Sequence, residues 1–270
     1  MNHTFPMQNV SIATNRSFSQ NIELLIELVK RDLKSKYRNV FLGVLWVILQ
    51  PLLLALFFVF VGKQFIPKFE GYRIDYFSMF VVLIPWQFFA STFQRSIGSI
   101  EFNNQLIYRI KFPMILLPLS MILSSFVDLA LNLVSFLLLS FFFKKIFFVS
   151  FIFLVFILLI SSIFISSLCI LFSILICFMG DLRHVVPYLI KLSLFGLPIL
   201  YTENVIPAGF RQLYASIPPV WMILKSKEIF NVKPVFIDEC TFSVLLISVI
   251  SISIVYIIFK KMERFVVDYI

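Results

Sequence analysis

Few side chains in this sequence are suited to chemistry. The only histidines are His3 and His184, too few for a metal cluster or a histidine-dependent catalytic triad. The three cysteines lack metal-ligand spacing, and Cys169 and Cys177 lie within one apolar segment, where a thiol packs as a small hydrophobe. We therefore expect no metal site, no catalytic residue and no disulfide framework.

A phosphate-binding loop is also absent from the sequence. The Gly-Lys-Gln at Gly62 lacks the upstream glycine and the hydroxyl residue of the G-x-x-x-x-G-K-[ST] pattern. We expect that this chain does not bind ATP through a loop of this kind.

Asp128 is the only acid well inside an apolar segment. Acids within membrane spans usually face the interior of a helix bundle and mark function. Asn132 lies one turn further on the same face, so we interpret the pair as an interhelical hydrogen-bond patch that holds helices together. A proton relay would need titratable partners in other spans, and Lys191 is the only candidate.

The elements that must position these residues are membrane spans. The chain has 270 residues, of which 60% are hydrophobic and 14% charged, whereas soluble domains are about half apolar and a quarter charged. A span requires about 20 apolar residues. The sequence predicts an all-α integral membrane protein with six transmembrane helices, at residues 40–61, 76–93, 114–143, 146–179, 185–201 and 241–259.

Residues 21–38 predict a basic amphipathic helix ahead of the first span. Apolar side chains recur at helical spacing from Ile22 to Leu33, with charged side chains between them. We expect this helix to lie in the membrane interface. It follows a polar N-terminus, residues 1–20, which lacks the apolar core of a signal peptide.

The distribution of charge predicts orientation in the membrane. The net charge of +9 comes from basic residues at the ends of apolar runs, a pattern typical of membrane topology rather than of nucleic-acid binding. Basic residues cluster before the first span, which places both termini in the cytoplasm. The transmembrane domain then covers residues 40–260, and residues 261–270 form a cytoplasmic tail.

Two connectors are more than simple turns. The cytoplasmic loop 98–113 interleaves apolar and charged residues and predicts a small amphipathic helix. The external segment 202–240 is too polar and proline-rich to span, and too apolar for a free loop, so it predicts two short re-entrant or interfacial helices before the last span. The alternative is a loop on the membrane surface, anchored by Trp221.

Several motifs resemble those of the transmembrane subunit of polysaccharide-exporting ABC transporters, which export O-antigen, capsule and teichoic acid. They stand in family order from residue 30 to the C-terminus: KRDLKSKYRNVFLGVLWVILQPLL (30–53), IPWQFF (84–89), NNQLIYRIKFPMILLPLS (103–120), GDLRHVVPYL (180–189) and FKKMERFVVDYI (259–270). Each motif is weakly specific alone, and their order makes the resemblance strong.

The resemblance implies a homodimeric half-transporter that pairs with two copies of a separate ATPase subunit, which binds ATP and Mg. It implies that loop 98–113 is a coupling helix that docks on the ATPase, with a second contact in the next cytoplasmic loop. The implied coupling residues are Glu101, Asn103, Asn104, Leu106, Ile107, Arg109, Lys111, Asp181 and Arg183. The alternative for loop 98–113 is a solvated turn along the membrane.

The resemblance also implies a pore for a lipid-linked glycan between the protomers. The external segment would be its gate, through Pro207, Phe210, Pro218, Pro219 and Trp221. Candidate pore aromatics are Trp46, Trp86, Tyr201 and Tyr214, although any one of them could instead face lipid or pack internally. Lys30, Arg31, Lys34, Lys36 and Arg38 would guide a pyrophosphate-linked head group, or bind anionic membrane lipids and set topology.

The sequence thus predicts the permease half of an exporter in the bacterial inner membrane, with a lipid-linked, O-antigen-like polysaccharide as its substrate and no nucleic-acid partner. A same-fold exporter of teichoic acid, capsule, lipid or drug is the nearest alternative. An integral-membrane transferase acting on lipid-linked sugars is the alternative from another class, and an ion-coupled transporter is a third.

Overall fold

A computed structural model of the chain describes residues 17–38, 43–65, 76–143, 148–201, 205–229 and 237–269. All regular structure within these ranges is helical. Parts of the predicted elements lie outside the described residues: most of the polar N-terminus (1–16), the starts of the first and fourth spans (40–42 and 146–147), two stretches of the segment 202–240 (202–204 and 230–236) and the last residue of the tail.

The helices follow one another along the chain with short connectors. In order they are α1 (Phe18–Tyr37), α2 (Gly43–Phe65), α3 (Tyr76–Ser96), α4 (Asn104–Arg109), α5 (Leu116–Phe142), α6 (Phe148–Phe178), α7 (Leu182–Gly196), α8 (Arg211–Ala215), α9 (Pro218–Glu228) and α10 (Glu239–Tyr269). Two turns of 3₁₀ helix, Glu101–Asn103 and Ala208–Phe210, precede α4 and α8.

Five helices in the described residues are long and apolar enough to cross a membrane: α2, α3, α5, α6 and α10. These match five of the six predicted spans. The remaining prediction, residues 185–201, coincides with α7, which has only 15 residues. At 1.5 Å per residue, α7 is about 22 Å long, short of the roughly 30 Å hydrocarbon core. Five candidate spans are therefore confirmed and the sixth is not.

Helix α3 is the centre of the bundle. In the most apolar 18-residue stretch of each helix, 83% of α3 is buried, compared with 17% of α2 and 22% of α10. It packs against α2, α5, α6, α7 and α9. Because α3 is enclosed by other helices, it tolerates buried hydroxyl residues such as Thr92 and Ser96, the latter hydrogen-bonded to its own helix. The outer faces of α2 and α10 remain open to lipid or to another chain.

Helix α1 is the amphipathic helix predicted at residues 21–38. A capping box starts it: the Ser17 hydroxyl accepts from the Gln20 N–H, and the Gln20 side chain accepts from the Ser17 N–H. Its buried residues are Leu28 and Asp32, and α1 packs against α5, where the Ser120 hydroxyl donates to the Asp32 carboxylate at 2.9 Å. Its placement in the membrane interface stays a prediction.

An ion pair ties α9 to the start of α10. Lys225, which is 4% exposed, pairs with Glu228 at 3.0 Å and with Asp238. Asp238 also accepts hydrogen bonds from the Thr241 N–H and hydroxyl, at 2.7 and 2.6 Å. Burial alone would raise the pKa of Asp238, but these donors and the Lys225 charge bring it below its ordinary value.

Acid is expected to weaken this contact. Because the pKa of Asp238 is lower in the folded protein, ionised Asp238 stabilises the fold above its unfolded pKa of about 4, and that contribution is lost as pH falls through the lower folded pKa. In thermal melting of the detergent-solubilised protein, Asp238→Asn should therefore lower the melting temperature at pH 7 and reduce its further fall below about pH 4. The exposed Glu23→Gln is the control, and an identical acid response in both variants would contradict the expectation.

Candidate functional site

Loop 98–113 folds as predicted into a compact helical connector. The 3₁₀ turn Glu101–Asn103 leads directly into α4, and the Asn103 amide donates to the Ser99 carbonyl at 2.7 Å. The helix stops at Ile110, whose backbone is extended. The chain then reaches Pro113, which favours extended backbone before it.

The connector has two faces. Leu106, Ile107 and Ile110 are half-buried and pack against the hydrophobic core of their own chain. Phe102 and Tyr108 are 74% and 60% exposed. Leu106 and Ile107, which the sequence assigns to coupling, are thus partly occupied by contacts within their own chain. The rings of Phe102 and Tyr108 remain exposed to solvent or to a partner.

The loop between α6 and α7 meets loop 98–113. Arg183, at the start of α7, forms an ion pair with Glu101, so the two loops make one continuous surface. Asp181 is exposed beside this pair. Of the other residues assigned to coupling, Arg109 and Lys111 are exposed and Asn103 and Asn104 are half-buried. The sequence placed these residues in two separate contacts, and their junction through Glu101 and Arg183 was not predicted.

The described part of segment 202–240 contains the short helices that the sequence predicts, α8 and α9. Pro207 and Phe210 are exposed on the first part of the segment. Pro218 and Pro219 begin α9. The first residues of a helix have no carbonyl partner for their N–H groups, so proline loses no helical hydrogen bond there. Trp221 is 1% exposed, and α9 packs against α3 and α6. Burial of Trp221 inside the bundle favours the re-entrant alternative over a surface loop anchored by this residue.

Two of the four candidate pore aromatics lie together at the end of α7. The hydroxyls of Tyr201 and Tyr214 are 2.7 Å apart, and both donate to the Gly196 carbonyl, at 2.8 and 3.2 Å. Burial, with a smaller contribution from Tyr201, raises the pKa of Tyr214. Tyr214 therefore remains protonated at physiological pH, and the two tyrosines together cap the end of α7.

The two candidate tryptophans have different surroundings. Trp86 is 9% exposed and its indole N–H donates to the Ser193 hydroxyl at 3.3 Å, joining α3 to α7. Trp46 is 49% exposed and lines a cavity between helices. Of the two, only Trp46 has an open aromatic surface.

The basic residues of α1 divide into two groups. Lys30 pairs with Glu27 at 2.7 Å and Arg31 with Asp32 at 2.9 Å. Lys30, Arg31, Lys34 and Arg38 are exposed, as a role towards anionic head groups requires. Lys36 differs from them, because its side chain turns into the bundle.

The Lys36 side chain forms an ion pair with the Asp128 carboxylate. This carboxylate is bonded by the Lys36 ammonium and the Tyr37 hydroxyl of α1, and by the Arg95 guanidinium of α3 at 3.2 Å. Arg95 also donates to the Ser124 hydroxyl at 2.9 Å. The predicted interhelical role of Asp128 is confirmed, and its carboxylate joins three helices.

Asn132 behaves differently from the prediction. Its amide N–H donates to the backbone carbonyl of Asp128 at 3.1 Å, which is a bond within α5 rather than between helices. The sequence does not identify Lys36 and Arg95 as partners of Asp128, because both stand near helix ends, where basic residues also set orientation in the membrane. The available signal was that Arg95 ends a helix whose other residues are almost all apolar or small.

Comparisons with known proteins identify the architecture. The family model for the ABC-2 type transporter matches residues 23–226. The chain is 29% identical over 218 residues to the O-antigen export system permease protein RfbA of Myxococcus xanthus, covering 79% of this chain and 82% of that protein. Two Klebsiella pneumoniae proteins of the same name are 28% and 30% identical, over 91% and 77% of this chain and 95% and 80% of their own lengths.

The matched residues run from α1 into α9 and so include loop 98–113, the α6–α7 loop, four of the five candidate spans and the short helices α8 and α9. The order of the motifs, the helical bundle and the family match agree with one another. This chain is a multi-pass membrane protein that belongs to the ABC-2 type transporter family.

Proposed function

We propose that this chain is the permease half of an ABC exporter that moves a lipid-linked, O-antigen-like polysaccharide across the bacterial inner membrane. The observation that carries the proposal is its similarity, over most of its length, to three proteins named as O-antigen export permeases. The substrate enters from the cytoplasmic leaflet and leaves past the external segment, and both termini lie in the cytoplasm.

Energy comes from a separate ATPase subunit, two copies of which bind two copies of this chain. The docking surface is the joined loop region around Glu101 and Arg183, which presents Phe102, Tyr108 and Arg109 to the outside. Aromatic and arginine side chains are the residue types that most often dominate the free energy of protein interfaces. A partner seated here contacts both cytoplasmic loops at once.

A second copy of the chain covers α2. This helix is the least buried of the candidate spans, and its exposed side chains include Leu45, Trp46, Leu53 and Phe57. In the dimer these residues border the path of the glycan. The exposed cations of α1, Lys30, Lys34 and Arg38 among them, attract the anionic head group at the membrane surface. Pro207 and Phe210 stand at the external exit.

Deletion of the gene in its bacterium, together with re-expression of the chain, tests the proposal. We expect deletion to leave completed lipid-linked glycan inside the cell and to remove it from the surface, and re-expression to restore export. Glycan is measured by gel analysis of whole-cell and surface-accessible fractions. Loss of glycan synthesis itself would favour a transferase, and unchanged surface glycan would contradict the proposal. Co-purification of the neighbouring ATPase is the accompanying measurement.

A further inference from the structure

The C-terminal end of α10 contacts the loop that the proposed function uses for docking. Glu263 Oε1 accepts a hydrogen bond from the Met114 N–H at 2.6 Å, although the two residues are 149 positions apart. Helix α10 has 31 residues and is about 46 Å long, so it exceeds the roughly 30 Å hydrocarbon core. Glu263 lies in its last two turns, within the motif 259–270, to which the proposed function assigns no role.

Glu263 occupies an apolar stripe of α10. Phe259 and Val266 are 1% and 0% exposed, and Met262 packs partly against the core. These positions repeat at helical spacing, and Glu263 falls among them, half-buried. The basic residues between positions 260 and 264 are exposed: Lys260, Lys261 and Arg264. A carboxylate on such a stripe loses part of its hydration, and hydrogen bonds such as the one from Met114 offset that loss.

The segment that Glu263 contacts has little regular structure of its own. Helix α4 ends at an extended Ile110, residues 111–113 are irregular, and α5 begins at Leu116. Ile115, the N-cap of α5, makes no capping hydrogen bond with its side chain, so N–H groups at this helix start need partners from elsewhere. The Glu263 carboxylate supplies one, and a negative charge near a helix N-terminus is favourable.

Burial also holds this segment, but without fixing its direction. Phe112 and Met114 are 9% and 6% exposed, so both side chains are anchored in the bundle. Apolar contacts are not directional, whereas a hydrogen bond constrains both distance and angle. The bond from Met114 to Glu263 therefore gives the exit of loop 98–113 a defined orientation relative to α10.

Two different elements thus hold the two ends of the loop. Arg183 of α7 pairs with Glu101 at its start, and Glu263 of α10 bonds to Met114 directly after its end. Between these contacts, α4 and the preceding turn present the exposed rings of Phe102 and Tyr108. A binding surface that is held in one orientation pays less entropy when its partner arrives. Both contacts accordingly set how well this surface fits a partner.

We propose that Glu263 is a positioning residue for ATPase coupling, which orients loop 98–113 through its hydrogen bond to Met114. The proposal rests on the proposed export function and adds the C-terminal end of α10 to the docking apparatus. That end lies outside residues 23–226, which the family model matches. Glu263 itself does not contact the ATPase; it acts through the loop.

Three variants of the full-length chain separate the hydrogen bond from the charge. Glu263→Gln keeps an acceptor oxygen at the same reach and removes the charge, and Glu263→Asp keeps the charge but withdraws it by about 1.5 Å. Glu263→Leu removes both. Titration of the detergent-solubilised permease with the ATPase encoded beside it should give the parent Kd for glutamine. Aspartate and leucine should each raise the Kd about tenfold, the effect of one hydrogen bond to a charged group.

Loop orientation is measured separately, without the ATPase. A nitroxide label at Gln105→Cys, an exposed position on α4, reports loop mobility in a chain whose three cysteines are replaced by alanine. We expect the label to move faster in the aspartate and leucine variants and at the parent rate in the glutamine variant. Asp238→Asn is the matched control, because it weakens a contact at the other end of α10. It should lower the melting temperature and leave both the label and the Kd unchanged.

Several results would overturn the role of Glu263. They are a parent Kd and parent mobility in the aspartate and leucine variants, a glutamine variant as impaired as leucine, or an equal effect of Asp238→Asn, which would mean general destabilisation. If the leucine variant does not fold, the glutamine and aspartate pair still decides. A parent chain that recruits no ATPase would overturn the proposed function, and this role with it. If the parent recruits the ATPase and all variants match it, only the role of Glu263 is wrong.

Discussion

Replacing Phe102, Tyr108 and Arg109 together by alanine is expected to abolish co-purification of the ATPase subunit. All three side chains are exposed on the surface that loop 98–113 forms with the α6–α7 loop, so we expect their removal to leave the bundle intact. Central aromatic and arginine residues of an interface typically cost 2 kcal/mol or more each when truncated. A combined loss of about 4 kcal/mol or more corresponds to a Kd at least a thousandfold higher.

The matched control lies on the opposite face of the same helix. Leu106→Ala with Ile107→Ala removes half-buried side chains that pack on the core of their own chain. This double variant should lower the melting temperature in detergent and weaken ATPase binding much less than the triple variant. The coupling surface would have to be reassigned if the triple variant retained the ATPase while the double variant, still folded, lost it.

Asp128→Asn is expected to cause the largest loss of stability of any single substitution proposed for this chain. The change leaves the Lys36 and Arg95 side chains, which are 29% and 21% exposed, without the carboxylate that holds them. Removal of one partner from a buried ion pair commonly costs 3–5 kcal/mol. Because these cations retain some solvent, we expect about 3 kcal/mol, measured by thermal or chemical unfolding in detergent.

A double-mutant cycle identifies the cause of that loss. Lys36→Met in the Asp128→Asn background removes the stranded cation and should restore part of the stability, with a coupling free energy of about 1–2 kcal/mol between the two sites. Lys34→Met, an exposed neighbour on α1, is the control and should couple with Asp128 by nearly zero. Additive effects of Lys36 and Asp128 would show that the two side chains do not interact.

Long apolar runs made five spans predictable, because hydrocarbon demands about 20 apolar residues whatever the neighbours are. Residues 185–201 also form an apolar run, but the helix there ends at Gly196, where the chain turns extended at Leu197. The Gly196 carbonyl is then capped by Tyr201 and Tyr214, a contact between segments that hydropathy does not encode. The length of an apolar run predicts a membrane span. The residue at which the helix ends also depends on capping by side chains from other segments, which the run itself does not encode.

At the candidate sites, the sequence does not predict the direction in which each side chain points. The alternation of apolar and charged residues in loop 98–113 predicts a helix, yet it does not show that Leu106 and Ile107 face the bundle while Phe102 faces outwards. Likewise Asp128 was recognisable as an interior acid, but Lys36 lies 92 positions away in the sequence. Such pairings depend on how helices pack, which one sequence without packing information does not specify.

Helix α7 is held firmly at both ends. Arg183 at its start is bound to Glu101, and the carbonyl of Gly196 at its end receives the hydroxyls of Tyr201 and Tyr214. Its last turn is also fastened to α3, by a hydrogen bond from the Trp86 indole N–H to the Ser193 hydroxyl. In mechanical terms α7 is a strut about 22 Å long. Because one helix carries both contacts, a movement of α7 along its axis would shift the Glu101 contact and the tyrosine contact together.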